Sequence, residues 1–359
     1  PGGPEAIQRF RSAIERAGGV NVWVKKHSTL SRNAVNVLLV PSAYNAIEQA
    51  IARAAQDRDL RMTQTILATD HGGMRSMQVT AYFRRDAVCR WQMREVPRIL
   101  RVAIIIDDLG QNMSAARDLL SLRSPLTFSV MPRLPFSRET AEAAHQAGIE
   151  VMLHLPMQPF ADSAPDVSPH EIKVGMGGRE VSGIIATDIA SVPYVAGVNN
   201  HMGSRATSDP RLMNEVMAAL AARHLFYIDS RTAASSVALE VARRAGVPSF
   251  YRSVFLDDTR TVPYTLGQLR RLSRVAEDRG VALAIGHPYP STIAALRQFL
   301  PNLERDDIQL VRVSALLNQK AAARLSPPLP GRKLRASILP HQDSPGAAQR
   351  GARLRSMVK

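Results

Sequence analysis

The chain has 359 residues, 45% of them hydrophobic and 5% aromatic, enough to bury a sizeable core and to form more than one domain. Its formal charge of +15 sits in the flanks: residues 1–98 carry 15 Lys/Arg against 8 Asp/Glu, residues 321–359 carry 8 against 1, and the stretch between them, 23 against 22, is nearly neutral. Basic flanks without interleaved aromatics argue against nucleic acid as a partner, the single Cys89 excludes an internal disulfide and a cysteine-based zinc site, and no run of about 18 apolar residues predicts a transmembrane helix.

Apolar residues at helical spacing predict amphipathic helices over 5–17, stopped by Gly18-Gly19, and over 43–55. With strand-like runs at 36–40, 63–68 and 78–83 they make residues 1–98 a small α+β module. It shows no catalytic constellation, and its His27 and His71 read as surface residues. A chain that opens at Pro1 without a methionine is expected to continue upstream, so no export signal is read here.

From residue 99 to 320 strands and helices alternate. Strands are expected at 102–106, 126–130, 149–153, 194–198, 225–228, 252–256, 281–285 and 308–312, with helices at 113–121, 137–147, 180–190, 210–223, 236–245, 265–279 and 291–300. Such alternation implies crossover units and a parallel sheet, with enough strands to close or nearly close into a barrel. Residues 321–359, rich in Pro, Gly, Ala and Arg without apolar periodicity, read as a disordered basic tail.

Four strand ends carry polar groups. The apolar run Val102 to Ile106 ends in Asp107-Asp108, Val151-Met152-Leu153 runs into His154, the strand to Val198 runs into Asn199-Asn200-His201, and Val281 to Ile285 runs into Gly286-His287. Ligands of parallel α/β folds bind beyond the carboxyl ends of the strands, so these side chains converge on one face. One carboxylate with two imidazoles suits a divalent ion, zinc above all, with a position left open for water. Against this stand blander roles: Asn199 and Asn200 as turn residues, Asp229 as a helix cap, and Arg205 as a solvated side chain or the binder of an anionic substrate group. His145, His170 and His224 read as surface residues.

With Ile-Asp107-Asp108-Leu-Gly, His154-Leu-Pro-Met-Gln-Pro, Gly-Val-Asn-Asn-His201-Met-Gly-Ser-Arg, Tyr-Ile-Asp229-Ser-Arg-Thr, Val-Phe-Leu-Asp257-Asp258 and Ile-Gly-His287-Pro in order, the chain resembles the divergent polysaccharide deacetylases. That resemblance implies a distorted (β/α) barrel over 99–320. It further implies a metal-dependent hydrolase that removes acyl groups from a polysaccharide or peptidoglycan-like glycan of the cell envelope, in the periplasm or outside the cell. At matching positions it implies Asp107 as general base, Asp108 and His154 as metal ligands and His287 as general acid. The relatives' second metal histidine corresponds here to Gln158, and His201 is the expected replacement. Asn200, Arg205, Asp229 and Asp257 or Asp258 are expected to orient the histidines or bind substrate. The competing expectation is a catalytically silent envelope module that keeps the barrel to bind glycan or a protein partner.

Overall fold

Two sheets account for the periodic patterns along the chain. They are seen in a computed structural model that describes residues 2–25, 34–54, 60–83, 85–160 and 170–317. The expected tail over 321–359 and His27 lie outside the described residues. No described helix is long and apolar enough to cross a membrane.

The first sheet contains β1 (Val22–Val24), β2 (Ala34–Leu39), β3 (Leu60–Thr69), β4 (Arg75–Phe83) and β5 (Asp86–Glu95), in the order β1-β2-β5-β4-β3. Helices α1 (Gly2–Gly18) and α2 (Tyr44–Ala54) cover one face of it, where Phe10, Ile14 and Ile47 meet Leu39, Met77, Val79 and Trp91. Strand β5, absent from the sequence expectation, follows a period of two: Cys89, Trp91 and Met93 are buried, whereas Arg90 and Arg94 are exposed. Its frequent charges obscure an otherwise ordinary half-buried strand.

The second sheet follows the expected alternation closely. Its strands are β6 (Leu100–Leu109), β7 (Thr127–Val130), β8 (Glu150–Met157), β9 (Val195–Met202), β10 (Phe226–Asp229), β11 (Ser249–Tyr251), β12 (Val254–Phe255), β13 (Val281–Gly286) and β14 (Ile308–Leu310). The connecting helices are α3 (Met113–Leu120), α4 (Ser137–Gln146), α5 (Gly178–Ser191), α6 (Pro210–Ala221), α7 (Ala238–Arg244), α8 (Val262–Arg279) and α9 (Pro290–Arg305). All pairings in this sheet are parallel, in the order β11-β10-β9-β8-β7-β6-β13-β12, with β14 also beside β6.

The single strand expected at 252–256 is instead two short ones at opposite edges of the sheet. Between them Arg252 N donates to Asp229 O at 3.0 Å and Ser253 N donates to Leu283 O at 2.8 Å. The chain crosses here from the edge beside β10 to the edge beside β13, which wraps the sheet into a distorted barrel and breaks the strand.

The barrel also sorts its side chains by parity. Ile104 and Ile106 join the helix-facing core, while Ala103 and Ile105 face the interior with Met152, Phe226, Ile228, Leu283 and Ile285. Adding two residues to each interior position reaches Asp107, His154, Ser230 and His287, so one inward row ends in chemistry at the carboxyl mouth. The first sheet joins the opposite end: Trp23 and Leu38 cluster with Ile99, the Arg101 guanidinium donates to Val20 O, and Lys25 Nζ donates to Glu304 O at 2.8 Å.

Gly197 leaves room for Phe226, the residue beside it in the β9–β10 ladder; a Cβ there would lie 2.2 Å from the ring. We therefore expect Gly197→Ala to destabilise the barrel by about 1–3 kcal/mol, measured as a lowered denaturation midpoint; an unchanged midpoint would contradict this packing.

Candidate metal and catalytic site

Adjacent residues of a regular strand point to opposite faces, so Asp107 and Asp108 cannot both reach the barrel mouth without a break in the strand. The pairing of β6 with β7 shifts register between Ile106 and Leu109, and Asp108 takes a left-handed φ of 56°. This bulge turns both carboxylates toward His154: Nε2 lies 3.6 Å from Asp107 Oδ2 and 3.2 Å from Asp108 Oδ1. Gly110, at φ 110°, lets the bulge close against α4, for a Cβ there would stand 3.3 Å from Ser137 Cα.

His201 completes the cluster. Its Nδ1 is 3.2 Å from Asp108 Oδ1 and 3.2 Å from His154 Nε2, so three ligand atoms form a nearly equilateral triangle. A tetrahedral ion bonded at about 2.0 Å sets its ligands about 3.3 Å apart, so the triangle has the size that zinc or a similar ion requires. Asp108, His154 and His201 are the group of metal-binding type among the described residues.

The hydrogen bonds behind the triangle decide which atoms carry protons. Asn199 Nδ2 donates to both oxygens of Asp107, at 2.9 and 3.1 Å, and to Ser230 Oγ at 3.2 Å. An ionised carboxylate only accepts, which fixes the amide with Oδ1 toward His154 Nδ1 at 3.1 Å. Ser129 Oγ also donates to that oxygen, at 2.5 Å. The His154 proton therefore sits on Nδ1, and Nε2 turns a lone pair on Asp108 Oδ1, a buried oxygen without a hydrogen-bond donor. Facing lone pairs call for a cation, and the donor set fits one.

His287 closes the opposite side. Its Nδ1 lies 3.0 Å from Asp257 Oδ1, its backbone N donates to Asp257 Oδ2 at 2.6 Å, and Thr292 Oγ1 donates to that oxygen at 2.8 Å. This leaves Nε2 facing the mouth, 3.7 Å from Asp108 Oδ2. Burial lowers the pKa of this imidazole, but the hydrogen bond to Asp257 and the charges of Asp108 and Asp107 outweigh it and raise the value above normal. For Asp107 burial wins: its pKa is raised although His154, His287 and Asn199 oppose the shift. Burial acts on Asp108 too, yet positive charge at the adjacent imidazoles of His154 and His201 would hold its carboxyl far below the usual range, as a bound cation would.

Not every expected residue joins this cluster. Asn200 and Asp229 have the outward parity of Tyr227. Asn200 Oδ1 accepts from Tyr227 Oη at 2.9 Å and Ser230 N at 3.0 Å, while its Nδ2 donates to Met202 O at 2.7 Å. Asp229 accepts from Arg231 N at 2.8 Å and Ser236 Oγ at 2.9 Å. Both brace the turns that carry the site, which corrects the expectation that they contact substrate or a histidine. Arg205 is exposed on the loop after β9, Asp258 is exposed beside buried Asp257, and Gln158 turns away, its Oε1 accepting from Val174 N at 3.0 Å.

Two contributors escaped the sequence reading. Asn199 reads in the sequence as a candidate turn residue, although its place two residues before His201 on β9 signals the inward row. Arg252 is the other: its guanidinium donates to Ser230 O at 2.6 Å and Arg231 O at 2.9 Å, and its carbon lies 4.7 Å from the Phe255 ring centre, against which His287 packs edge-on. No spacing rule points to a half-buried arginine that caps two carbonyls.

A parallel α/β barrel carrying an Asp-His-His triangle, with an acid and a histidine beside it, defines the class of metal-dependent hydrolases. The family model for divergent polysaccharide deacetylases matches residues 104–317, and the chain belongs to that family. It is 37% identical over 228 residues to the uncharacterized protein YibQ of Escherichia coli strain K12, a match covering 64% of this chain and 70% of that one. It is 36% identical over 230 residues to an uncharacterized protein of Haemophilus influenzae, covering 64% and 80%. Among solved structures, the uncharacterized protein ATU2773 of Agrobacterium tumefaciens C58 shares the fold, with a TM-score of 0.58 and 24% identity over 61% of this chain and 89% of that one.

Replacing Asn199 by Ala strands both Asp107 oxygens and frees the His154 tautomer. The expected result is a 10- to 100-fold loss of zinc affinity in a chelator competition, with secondary structure retained. Unchanged affinity would show that the network does not set the ligand.

Proposed function

We propose that this chain is a metal-dependent hydrolase that removes acyl groups, acetyl first, from a cell-envelope polysaccharide, acting in the periplasm or outside the cell with zinc as its ion. The observation that carries the reading is the 3.2 Å triangle of Asp108, His154 and His201 at the barrel mouth. Family membership supports the chemistry, and a neutral barrel between basic flanks fits an anionic envelope surface.

Asp108, His154 and His201 would hold the ion, which supplies Lewis acidity toward the acyl oxygen and lowers the pKa of water toward roughly 7. Asp107 takes the proton of the attacking water; Asn199 aims its carboxylate by donating to both oxygens. His287 Nε2 gives a proton to the departing sugar nitrogen or oxygen, while Asp257 holds Nδ1 and keeps the ring turned toward the mouth. The competing view of a silent binding module rested on the missing second histidine, and the position of His201 removes that reason for it.

Two experiments test this reading. Asp107→Asn should leave zinc content unchanged and lower acetate release from an acetylated glycan by about 10²–10⁴-fold; undiminished release would rule Asp107 out as the base. The pH profile supplies the second. Asp107 acts ionised, so activity rises as pH climbs through its raised pKa; His287 acts protonated, so activity falls as pH climbs through its raised pKa. Asp257→Asn removes the largest effect that raises the His287 value and should move the alkaline limb to lower pH, leaving the acid limb in place. An alkaline limb that stays put would exclude His287 as the proton donor.

A further inference from the structure

Five planar groups stack in series across the mouth of the barrel, and the last has no assigned task. The Arg252 guanidinium lies over Phe255, Phe255 meets His287 edge-on at 5.5 Å, His287 stacks on Tyr289 at 5.4 Å, and the Arg260 guanidinium carbon sits 4.0 Å from the Tyr289 ring centre. The two arginines at the ends differ in kind. Arg252 is spent on the carbonyls of Ser230 and Arg231. Arg260 is exposed, and among the described residues its partner is Tyr289, with no carboxylate in ion-pair contact.

The Arg260 guanidinium also hydrogen-bonds the Tyr289 side chain, which holds it in place and leaves its remaining N–H groups for a ligand. Of the other exposed arginines at this end, Arg231 lies 4.5 Å from the Tyr251 ring centre, outside the stack that contains His287, and the Arg133 Nε donates to Asp188 at 2.7 Å. We propose that Arg260, seated on Tyr289, forms an anion subsite that binds a carboxylate on the glycan next to the sugar that loses its acyl group. The inference rests on the proposed hydrolase, because it takes His287 as the group beside the departing sugar.

A sugar nitrogen or oxygen that receives a proton from His287 Nε2 lies in the plane of that ring, at the edge that faces Asp108. Tyr289 stacks beside the same ring, so a neighbouring sugar set against Tyr289 meets Arg260 as the nearest cation of the stack. Two parallel N–H donors match the two oxygens of a carboxylate better than a neutral hydroxyl, and a charge-assisted pair is correspondingly stronger. Exposed Asp258, two residues before Arg260, disfavours an anion placed beside it, which narrows the position at which an acidic sugar is accepted.

The test compares two acetylated probes of equal length in the zinc-loaded protein: a tetrasaccharide alternating N-acetylglucosamine with glucuronic acid, and neutral chitotetraose. Binding is measured by calorimetry in an Asp107→Asn background, and acetate release with Asp107 intact. The acidic probe should bind about tenfold more tightly, and Arg260→Ala should erase that difference while Arg260→Lys, which keeps the charge without the fork, retains part of it. Equal affinity for the two probes, a preference that survives Arg260→Ala, or no binding of either overturns the subsite. Charge preference without acetate release from either probe leaves the subsite standing and counts against the hydrolase.

Discussion

The site depends on a break in one strand. A carboxylate at the end of a buried strand meets the mouth of the barrel only if its parity is inward, and the parity of Asp108 is outward. The bulge between Ile106 and Leu109, with Asp108 at φ 56°, overrides that parity and delivers two acids to one imidazole. Left-handed backbone is costly for a residue other than glycine, roughly 1–3 kcal/mol, and persists where its surroundings fix it. Here the fully buried Ile104, Ile105 and Ile106 anchor the strand before the bulge, each side chain contributing roughly 1.5–3 kcal/mol of burial. Gly110 and Ser137 secure the chain after it. The strain sits where the chemistry is.

Behind the bulge, polar groups are arranged so that each sets the protonation of the next. Asp107 orients the Asn199 amide, Asn199 sets the tautomer of His154, and His154 presents a lone pair beside Asp108 and His201. Burial of Asp107 without partners would cost several kcal/mol, so two hydrogen bonds from one amide are a condition of having the acid there at all. Asp257 plays the matching part for His287 with help from Thr292. His154 and His287 thus each have one nitrogen tied to the protein and the other turned to the mouth.

Much of this was legible in the sequence, for physical reasons that can be named. Buried parallel strands read as apolar runs, and helices between them read by their 3.6 period, so the barrel was visible from Leu100 to Leu310. Strand-end polar residues marked the mouth, which brought Asp107, Asp108, His154, His201 and His287 forward. Parity was the information left unused: it separates Asn199, inward and central, from Asn200, outward and spent on Tyr227 and Ser230. Other features lie beyond any local pattern. The crossing at Arg252 and Ser253 that splits one expected strand into β11 and β12 is a property of closure, and the bulge at Asp108 depends on how β7 pairs with β6.

The first sheet meets the barrel at the amino ends of its strands, through Trp23, Lys25 and Arg101, and the triangle lies at the carboxyl ends. Chemistry and docking therefore occupy opposite ends of one scaffold, and the central claim can be examined at the mouth alone. The most direct measurement is anomalous diffraction at the zinc edge from crystals grown with zinc. The account predicts one peak at the barrel mouth, about 2.0–2.2 Å from Asp108 Oδ1, His154 Nε2 and His201 Nδ1. A mouth without a peak, or an ion held by other side chains while these three stay in place, would contradict it.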